Sequence, residues 1–277
     1  MTIHVTDVAI VGGGMVGGAL ALGLAQQGFT VTVLEKAAPP AFDPASAPDV
    51  RISAISAASV GLLKSLGVWD AIRAMRVHAY RRLETWEWES AHVAFDAAEL
   101  KLPELGYMVE NKVLQWGLWQ ALAAHEAVTL RVGSELKTMQ RGETQTALHL
   151  REGETIHARL VIGADGANSQ VREMAGIGVH AWQYQQSCML ISVECADDPG
   201  DSTWQQFTPS GPRAFLPLFD HWASLVWYDA PARIRQLQSM TMAQLQQEIA
   251  SHFPARLGRV TPQAAGAFPL TRRHALQ

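Results

Sequence analysis

The stretch that decides the fold runs from Asp7 to Lys36 and contains Asp7-Val8-Ala9-Ile10-Val11-Gly12-Gly13-Gly14-Met15-Val16-Gly17. It opens with an apolar run of the kind that is buried as a central parallel strand. A G-x-G-x-x-G turn follows at once, and residues 19–27 are then predicted as a helix that Gly28 ends. A second buried strand is predicted over 30–34. The order of strand, glycine turn, helix and strand is that of a dinucleotide-binding unit.

Each glycine of the turn has a physical role in that function. Gly12 permits the tight turn, Gly14 lets a pyrophosphate approach the backbone, and Gly17 lets helix and strand touch. The helix N-terminus offers free N–H groups and a positive dipole end. Glu35 ends the second strand, where an acid accepts the adenosine ribose hydroxyls, which favours FAD or NAD over NADP. A glycine turn used for packing alone is the alternative.

Composition excludes several other classes of protein. The chain has 277 residues, enough for one or two domains, and a net charge of −4 with no dense Lys/Arg run, so we expect no nucleic-acid partner. Its two cysteines, Cys188 and Cys195, have neither metal-site nor disulfide-framework spacing. They are interpreted as buried apolar residues in a reducing compartment, and no metal site is expected.

Targeting signals are not apparent in the sequence. No apolar run approaches the ~18–20 residues of a membrane span. The N-terminus leads directly into a strand, without a basic region or cleavage site, which predicts no signal peptide. A cytoplasmic location is the default expectation, and peripheral contact with the inner membrane stays open.

Two kinds of patterning alternate along the chain. Parallel α/β patterning occupies 1–80 and 98–180, and antiparallel patterning occupies 81–97 and 181–277, which predicts a discontinuous nucleotide-binding domain and a second, inserted domain. In the first we predict helices over 57–66, 69–75, 111–124 and 171–175, and strands over 128–132, 135–140, 145–151 and 160–163. Leu114, Leu118 and Leu122 have the spacing of a buried stripe on the third of these helices. In the second we predict a hairpin of 83–89 with 92–95, strands over 189–195, 203–207, 214–218 and 223–228, and a helix from a capping box at Thr241 to about Phe253. Trp86 and Trp88 of the hairpin are interpreted as core packing residues, with ligand contact as the alternative.

A second informative stretch is Leu160-Val161-Ile162-Gly163-Ala164-Asp165-Gly166-Ala167-Asn168-Ser169-Gln170-Val171-Arg172. A buried strand delivers Asp165 and Gly166 to its carboxyl end, where ligands of α/β sheets bind. Asp165 can accept a hydrogen bond from a ribose hydroxyl, and Gly166 allows backbone close to a phosphate. An Asp-Gly turn with Ser169 capping the next helix is the structural alternative.

These two stretches together resemble the flavin-dependent aromatic hydroxylases, the family of para-hydroxybenzoate hydroxylase. Gly12 to Gly17 with Glu35 matches the family's first FAD motif, and 160–172 matches its more specific Asp-Gly fingerprint. Three further stretches resemble the ubiquinone-biosynthesis branch, namely Arg51-Ile52-Ser53-Ala54-Ile55-Ser56, Gly106-Tyr107-Met108-Val109-Glu110-Asn111 and Phe268-Pro269-Leu270. Trp86-Glu87-Trp88-Glu89 and Trp204-Gln205-Gln206-Phe207 extend the similarity along the whole chain.

The resemblance implies an α/β fold with a Rossmann-like FAD/NAD(P)-binding domain and an inserted antiparallel sheet that binds substrate. It also implies a monooxygenase in which NAD(P)H reduces FAD, reduced flavin and O2 give a C4a-hydroperoxide, and the ring of a polyprenyl quinol takes up the distal oxygen. The protein would orient the ring and exclude water. A flavin oxidoreductase without oxygen insertion, and a non-catalytic scaffold that assembles with other ubiquinone-biosynthesis proteins, are the other hypotheses.

Carried over by position, Gly12, Gly14, Gly17 and Glu35 hold the ADP half of FAD, and Asp165 with Gly166 lies near the pyrophosphate and ribityl chain. Arg51 and Asn111 match positions near the flavin. On the residues alone, Arg51 could equally be an exposed arginine and Asn111 only a helix cap. Gln115 is a weaker candidate one turn after Asn111. No catalytic base is named, since neither His78 nor His92 has an arguable partner.

The sequence departs from the family at its end. Family members continue with a third FAD-binding segment, a Gly-Asp motif, and this chain stops at Gln277 just before it. We therefore expect an amino-terminal part of a longer protein, with weak or absent FAD retention. The apolar strand around Phe215, Leu216 and Leu218 is a candidate wall of a substrate groove, with plain sheet core as the alternative.

Overall fold

A six-stranded mixed sheet forms the base of the nucleotide-binding part of the molecule. The computed structural model describes residues 3–88 and 90–276, and Glu89 of the predicted hairpin lies outside this range. The spatial order is β8 (Val128–Val132), β2 (Val31–Glu35), β1 (Ile3–Val11), β11 (Thr155–Gly163), β10 (Thr146–Leu150) and β9 (Leu136–Arg141). The first four strands are parallel, and β10 and β9 are antiparallel additions.

The register of β1 places two predicted turns side by side. Val11 pairs with Leu34 of β2 on one edge and with Gly163 of β11 on the other. Because all three strands run in the same direction, their carboxyl ends meet at one edge of the sheet. The prediction that residues 160–163 are buried is wrong, since Leu160 is 53% exposed, Gly163 is also exposed, and Val161 and Ile162 are only partly buried. The reason is that β10 pairs with β11 only over 155–158.

Five helices accompany this sheet: α1 (Met15–Gln26), α2 (Ala57–Ser65), α3 (Trp69–Met75), α4 (Asn111–Ala123) and α5 (Gln170–Met174). The first begins at Met15, four residues before the predicted start, so Gly17 lies inside it. Gly28 follows its end with a φ of +88°, as the helix-stop prediction requires. The predicted buried stripe of α4 is confirmed, since Leu114, Leu118 and Leu122 join the largest core cluster.

A seven-stranded sheet forms the antiparallel part. Its spatial order is β16 (Val260–Ala275), β12 (Val179–Cys195), β15 (Trp222–Asp229), β14 (Arg213–Pro217), β13 (Ser202–Gln206), β5 (Arg82–Trp86) and β6 (His92–Asp96). Two helices, α6 (Pro231–Gln238) and α7 (Met242–His252), pack on it and help to bury a second core. The capping box at Thr241 and the hairpin of β5 with β6 are confirmed.

Two tryptophans of the hairpin differ in their surroundings. Trp86 ends β5, and its ring packs against Trp204 of β13 at a centroid distance of 5.5 Å, in agreement with a core role. Trp88 lies beyond the strand and is 62% exposed, so core packing is wrong for it.

A small three-stranded sheet joins the two larger ones. It has the order β3 (Ile52–Ser56), β7 (Gly106–Glu110) and β4 (His78–Tyr80). Glu110, at the end of β7, accepts a hydrogen bond from Arg76 Nε at 2.6 Å in a buried ion pair. The same guanidinium lies 4.5 Å from the ring centroid of Phe219, which follows β14. Arg76 thus ties the small sheet to the antiparallel part.

The helices of the described residues are short. The longest, α4, has 13 residues, and none of them has the length and apolar character that a bilayer crossing requires.

Candidate functional site

The glycine turn and the Asp-Gly turn are in direct contact at the carboxyl edge of the parallel strands. Ala164 N–H donates to the Val11 carbonyl at 2.7 Å, and Gly12 N–H donates to the Leu34 carbonyl at 2.8 Å. Gly12 has a φ of +104°, and a Cβ at this position would lie 2.3 Å from the Ala164 carbonyl oxygen. Only glycine fits there, because the backbone of Ala164 and Asp165 occupies the space of a Cβ and because the positive φ disfavours other residues.

A crevice of about 620 Å³ opens where the two turns meet. Five of the predicted site residues line it, namely Gly12, Gly14, Glu35, Asp165 and Gly166. The two predicted turns therefore line one crevice, although Glu35 and Asp165 are 130 positions apart in the sequence.

Gly14 and Gly17 meet different needs. A Cβ on Gly14 would have no atom within 4 Å, so the backbone there is open to a ligand. A Cβ on Gly17 would lie 1.9 Å from the Gly12 carbonyl oxygen, so Gly17 allows α1 to pack against the turn. Gly14 is also the N-cap of α1, and no side chain of the described residues caps this helix end. Open backbone at an uncapped helix N-terminus fits a pyrophosphate.

The Glu35 carboxylate already binds backbone N–H groups. Oε2 accepts from Gly13 N–H at 2.7 Å, and Oε1 accepts from Lys36 N–H at 2.8 Å and from Ala37 N–H at 3.4 Å. A carboxylate has about four acceptor positions, so Glu35 keeps capacity for a further donor. It therefore shapes the glycine turn and also faces the crevice.

Asp165 binds the start of α5 through one oxygen and the N-cap residue Ser169 through the other. Oδ1 accepts from Ser169 Oγ at 2.5 Å, and Oδ2 accepts from Gln170 N–H at 2.7 Å and from Val171 N–H at 3.2 Å. Ser169 in turn caps the helix through Arg172 N–H. The structural alternative from the sequence, an Asp-Gly turn with a capping serine, is thus present. With three donors already bound, Asp165 keeps about one free acceptor position, as Glu35 does.

Arg51 and Asn111 lie together, outside the set that lines the crevice. Asn111 N–H donates to the Arg51 carbonyl at 3.0 Å, and the exposed Arg51 guanidinium lies 5.5 Å from the ring centroid of Phe268. The helix-cap alternative for Asn111 is wrong, because Glu110 is the N-cap of α4. The Asn111 side chain instead accepts from Ser53 Oγ at 2.6 Å.

Helix α4 holds the glycine turn from the other side. Trp119 Nε1–H donates to the Gly13 carbonyl at 2.6 Å, and Gln115 Nε2–H donates to the same oxygen at 3.1 Å. The sequence named Gln115 and missed Trp119. The available signal was spacing, because Asn111, Gln115 and Trp119 recur every four residues and so share one helix face.

Other contributors to the crevice were also missed. Lys36, Ser134 and Glu135 line it because β8 is parallel to β2 and ends beside it. Arg273 of β16 donates to the Ala167 carbonyl and, at 3.0 Å, to Asn168 Oδ1. The adjacency of strand tips could have indicated the first group, but nothing local in the sequence indicates Arg273.

A second, more apolar cavity of about 430 Å³ lies between the small sheet and the antiparallel sheet. Its walls include Tyr80, Met108 and Leu216. Of the three residues predicted for a substrate groove wall, Leu216 alone lines this cavity, since Phe215 stacks on Trp204 in the second core and Leu218 packs in a separate buried cluster. Alternation along β14 sends neighbouring side chains to opposite faces.

An electrostatic network surrounds Glu84, which lines this cavity. Its carboxylate accepts two hydrogen bonds from Arg256, at 3.1 and 3.2 Å, and is 2.9 Å from His92 Nε2. The Arg256 hydrogen bonds are the main cause that lowers the pKa of Glu84 to about 2. The sequence offered no partner for His92, and the structure provides Glu84. The Glu84–Arg256 contact is a structural ion pair.

The cysteines behave as packing residues. Burial raises the pKa of both Cys188 and Cys195 to about 11, so neither is an activated thiol. Across residues 3–88 and 90–276, no group of three or more His, Cys, Asp or Glu side chains has the geometry to hold a metal ion.

A parallel sheet with a glycine turn, an acid at the next strand tip and an open crevice between two turns defines a dinucleotide-binding protein. The chain belongs to the FAD binding domain family, whose match covers residues 5–277.

Among curated proteins, the chain is 76% identical over all of its 277 residues to 3-demethoxyubiquinol 3-hydroxylase of Escherichia coli K12, and spans 71% of that protein. It is 36% identical to the ubiquinone hydroxylase UbiL of Rhodospirillum rubrum over 260 residues, which are 93% of this chain and 60% of UbiL. It is 34% identical to human mitochondrial ubiquinone biosynthesis monooxygenase COQ6 over 255 residues, 86% of this chain and 54% of COQ6. The chain is thus shorter than each of these relatives.

Solved structures show the same fold at low identity. The p-nitrophenol 4-monooxygenase PnpA of Pseudomonas putida DLL-E4 superimposes with a TM-score of 0.76 at 17% identity, over 99% of this chain and 70% of PnpA. Aklavinone-11 hydroxylase, solved with FAD and aklavinone, superimposes with a TM-score of 0.73 at 20% identity, over 100% of this chain and 56% of that chain.

Proposed function

We propose that this protein is a FAD-dependent monooxygenase that hydroxylates the ring of a demethoxyubiquinol. The observation that carries the proposal is the meeting of the glycine turn and the Asp-Gly turn at one crevice of about 620 Å³. The 76% identity to a 3-demethoxyubiquinol 3-hydroxylase supports the choice of substrate class.

FAD fits the residues of this crevice, and each would serve a distinct part of it. Gly14 and the α1 N-terminus would take the pyrophosphate, and Glu35 would take the adenosine ribose through its remaining acceptor capacity. Gly166 would let the backbone approach the cofactor, while Asp165 would act mainly by fixing that turn. Bound FAD would supply the redox chemistry and the activation of O2.

Arg51 and Asn111 are proposed to face the flavin end of the cofactor. Their support is their location, because the Asn111–Ser53 hydrogen bond joins α4 to β3, and Ala54 of β3 lines the apolar cavity. We propose this cavity of about 430 Å³ as the place of the quinol ring, where Tyr80, Met108 and Leu216 would exclude water.

The reductant is proposed to be NAD(P)H, and the quinol is proposed to carry a polyprenyl tail. A substrate with such a tail partitions into lipid, which supports a peripheral contact with a membrane. Val16 and Leu62, which are 75% and 55% exposed, are apolar residues of a surface groove on α1 and α2 that fits this contact.

We also keep a two-domain division as a proposal. Residues 1–80 and 98–180 would form the FAD-binding domain, and 81–97 and 181–277 the substrate domain. Sheet membership supports this division. All strands of the six-stranded sheet lie within the first set of residues. The strands of the seven-stranded sheet lie within the second set, except for the first two residues of β12.

An assay with labelled oxygen tests the function. The protein would be supplied with FAD, NADH or NADPH, a short-chain demethoxyubiquinol and ¹⁸O2, and the products analysed by mass spectrometry. We expect one ¹⁸O atom in the ring of the product. Consumption of reduced nicotinamide without labelled product would indicate a flavin oxidoreductase instead, and FAD-free protein that binds partner proteins would indicate a scaffold.

A further inference from the structure

Gly13 is held at both of its backbone polar groups, and the peptide between Gly13 and Gly14 is held through its carbonyl oxygen. Its carbonyl oxygen, that of Gly13, accepts from Trp119 Nε1–H at 2.6 Å and from Gln115 Nε2–H at 3.1 Å. The Gly13 N–H donates to Glu35 Oε2 at 2.7 Å. Three side chains from two elements therefore fix both polar groups of a residue that has no side chain of its own.

This arrangement fixes the direction of the Gly14 N–H. No cis peptide bond occurs among the described residues, and in a trans peptide the carbonyl oxygen and the following N–H point in opposite directions. Because the Gly13 carbonyl points at α4, the Gly14 N–H points away from α4. Gly14 lines the crevice and has no neighbour that a Cβ would meet within 4 Å.

Trp119 is also in close contact with the turn through its ring. A Cβ on Gly13 would lie 2.9 Å from a carbon of the indole ring and 3.2 Å from Glu35 Cβ. Trp119 lies on the buried face of α4 and is only 6% exposed. Glycine is needed at position 13 because the Trp119 indole occupies the space of a Cβ. The same contact restricts rotation of the Gly13–Gly14 peptide.

We propose that Trp119, assisted by Gln115, is a positioning residue that orients the Gly13–Gly14 peptide so that the Gly14 N–H is presented to the cofactor pyrophosphate. This rests on the proposed FAD site. Without the indole N–H the peptide could rotate, and the N–H would be presented for only part of the time. Preorganised donors bind more tightly because less is spent on ordering them.

The test compares two tryptophan substitutions in the 277-residue chain. Trp119→Phe removes the N–H donor and keeps an aromatic ring, whereas Trp69→Phe makes the same change in a tryptophan of α3 that is 1% exposed and packs on Tyr107. FAD and ADP would each be titrated by calorimetry, since both carry a pyrophosphate. We expect Trp119→Phe to weaken both ligands by about tenfold, the size of one hydrogen bond, and Trp69→Phe to leave both within about twofold.

A second variant protects the test against misfolding. Gln115→Met removes the other donor at a half-buried position, and we expect it to weaken FAD and ADP by about threefold, with circular dichroism unchanged. Equal affinities in Trp119→Phe and the unaltered chain would overturn the proposal, as would equal losses in both tryptophan variants. Because weak FAD retention is expected of this chain, the titrations extend to millimolar ligand. If the unaltered chain bound neither FAD nor ADP at that concentration, the cofactor site itself would be ruled out, and this role with it.

Discussion

At the scale of single residues, the site depends on the absence of side chains as much as on their presence. Gly12 and Gly17 are glycines because backbone carbonyls occupy the space that a Cβ would need, whereas Gly14 is glycine at a position that is open. The sequence motif does not distinguish these two reasons. The structure does, and each reason leads to a different expected effect of substitution.

Gly17→Ala should destabilise the protein. Its Cβ would stand 1.9 Å from the Gly12 carbonyl oxygen, and because that atom is backbone, relief requires α1 to move away from the turn. We expect a loss of about 3 kcal/mol in the free energy of unfolding, measured by urea denaturation. Gly61→Ala in α2 is the matched control, since nothing lies within 4 Å of its added Cβ, and it should stabilise by up to about 1 kcal/mol. Similar effects of the two substitutions would contradict the packing role of Gly17.

Glu84 should make stability depend on acid pH. Its folded pKa of about 2 lies below its ordinary value of 4.5, so its contribution is present above about pH 5 and is lost as pH falls toward 2. A shift of this size corresponds to a contribution on the order of 3 kcal/mol at neutral pH. In urea denaturation, Glu84→Gln should therefore be less stable than the unaltered protein at pH 7, and the difference should shrink by pH 3. The exposed Glu126→Gln should show no such convergence; a pH-independent loss in Glu84→Gln would count against the ion pair.

At the scale of elements, the sequence predicted a helix or hairpin correctly where all the residues that define it lie within one short segment. The capping box of α7 is an example, because Thr241 Oγ1 accepts from Gln244 N–H and Gln244 Oε1 accepts from Thr241 N–H, all within four residues. The buried stripe of α4 and the hairpin of β5 with β6 are others.

Thr241→Ala should lower the free energy of unfolding by about 1 kcal/mol, the usual value of an N-cap. The helix packs Leu245 and Ile249 into the second core, so loosening its first turn should be felt in global unfolding. Thermal and urea denaturation would measure the loss. Ser251→Ala, at an exposed position of the same helix, should change stability by less than about 0.5 kcal/mol. Equal losses would show that the capping box adds no stability.

Strand β16, which sequence reasoning missed, depends on a partner strand far along the chain. β16 contains Pro262, Gly266 and Pro269, which locally argue against a strand. It forms because β12 offers a 17-residue partner, and the pairing tolerates shifts of register. Arg273 reaches the Asp-Gly turn only as a result of this pairing. Such contacts are tertiary and leave no periodic trace in the sequence.

The same limit applies to the candidate site. Both turns were predictable because strand tips at one edge of a parallel sheet must meet. The detailed use of the acids was not, since Asp165 and Glu35 spend much of their acceptor capacity on backbone N–H groups that the fold brings to them. Trp119 was not predicted as a site residue, because it lies among the apolar residues of α4. Nothing in the sequence itself showed that its indole N–H donates to the glycine turn.

At the scale of the whole molecule, two turns that lie far apart in the sequence form one crevice. The seven-stranded antiparallel part of the molecule lies beside the sheet that carries these turns. The small sheet and Arg76 connect the two parts, and the apolar cavity lies where they adjoin. This arrangement would put a nucleotide on the parallel sheet and an apolar ring against the antiparallel one, as a ring-hydroxylating flavoprotein requires.

Hydrogen–deuterium exchange with and without excess FAD tests this arrangement most directly. We expect FAD to slow exchange in two separate segments at once, residues 12–18 of the glycine turn and residues 163–170 of the Asp-Gly turn, with ADP protecting the first segment in the same way. Protection of neither segment, or of only one of them at saturating FAD, would contradict a single flavin nucleotide held between the two turns.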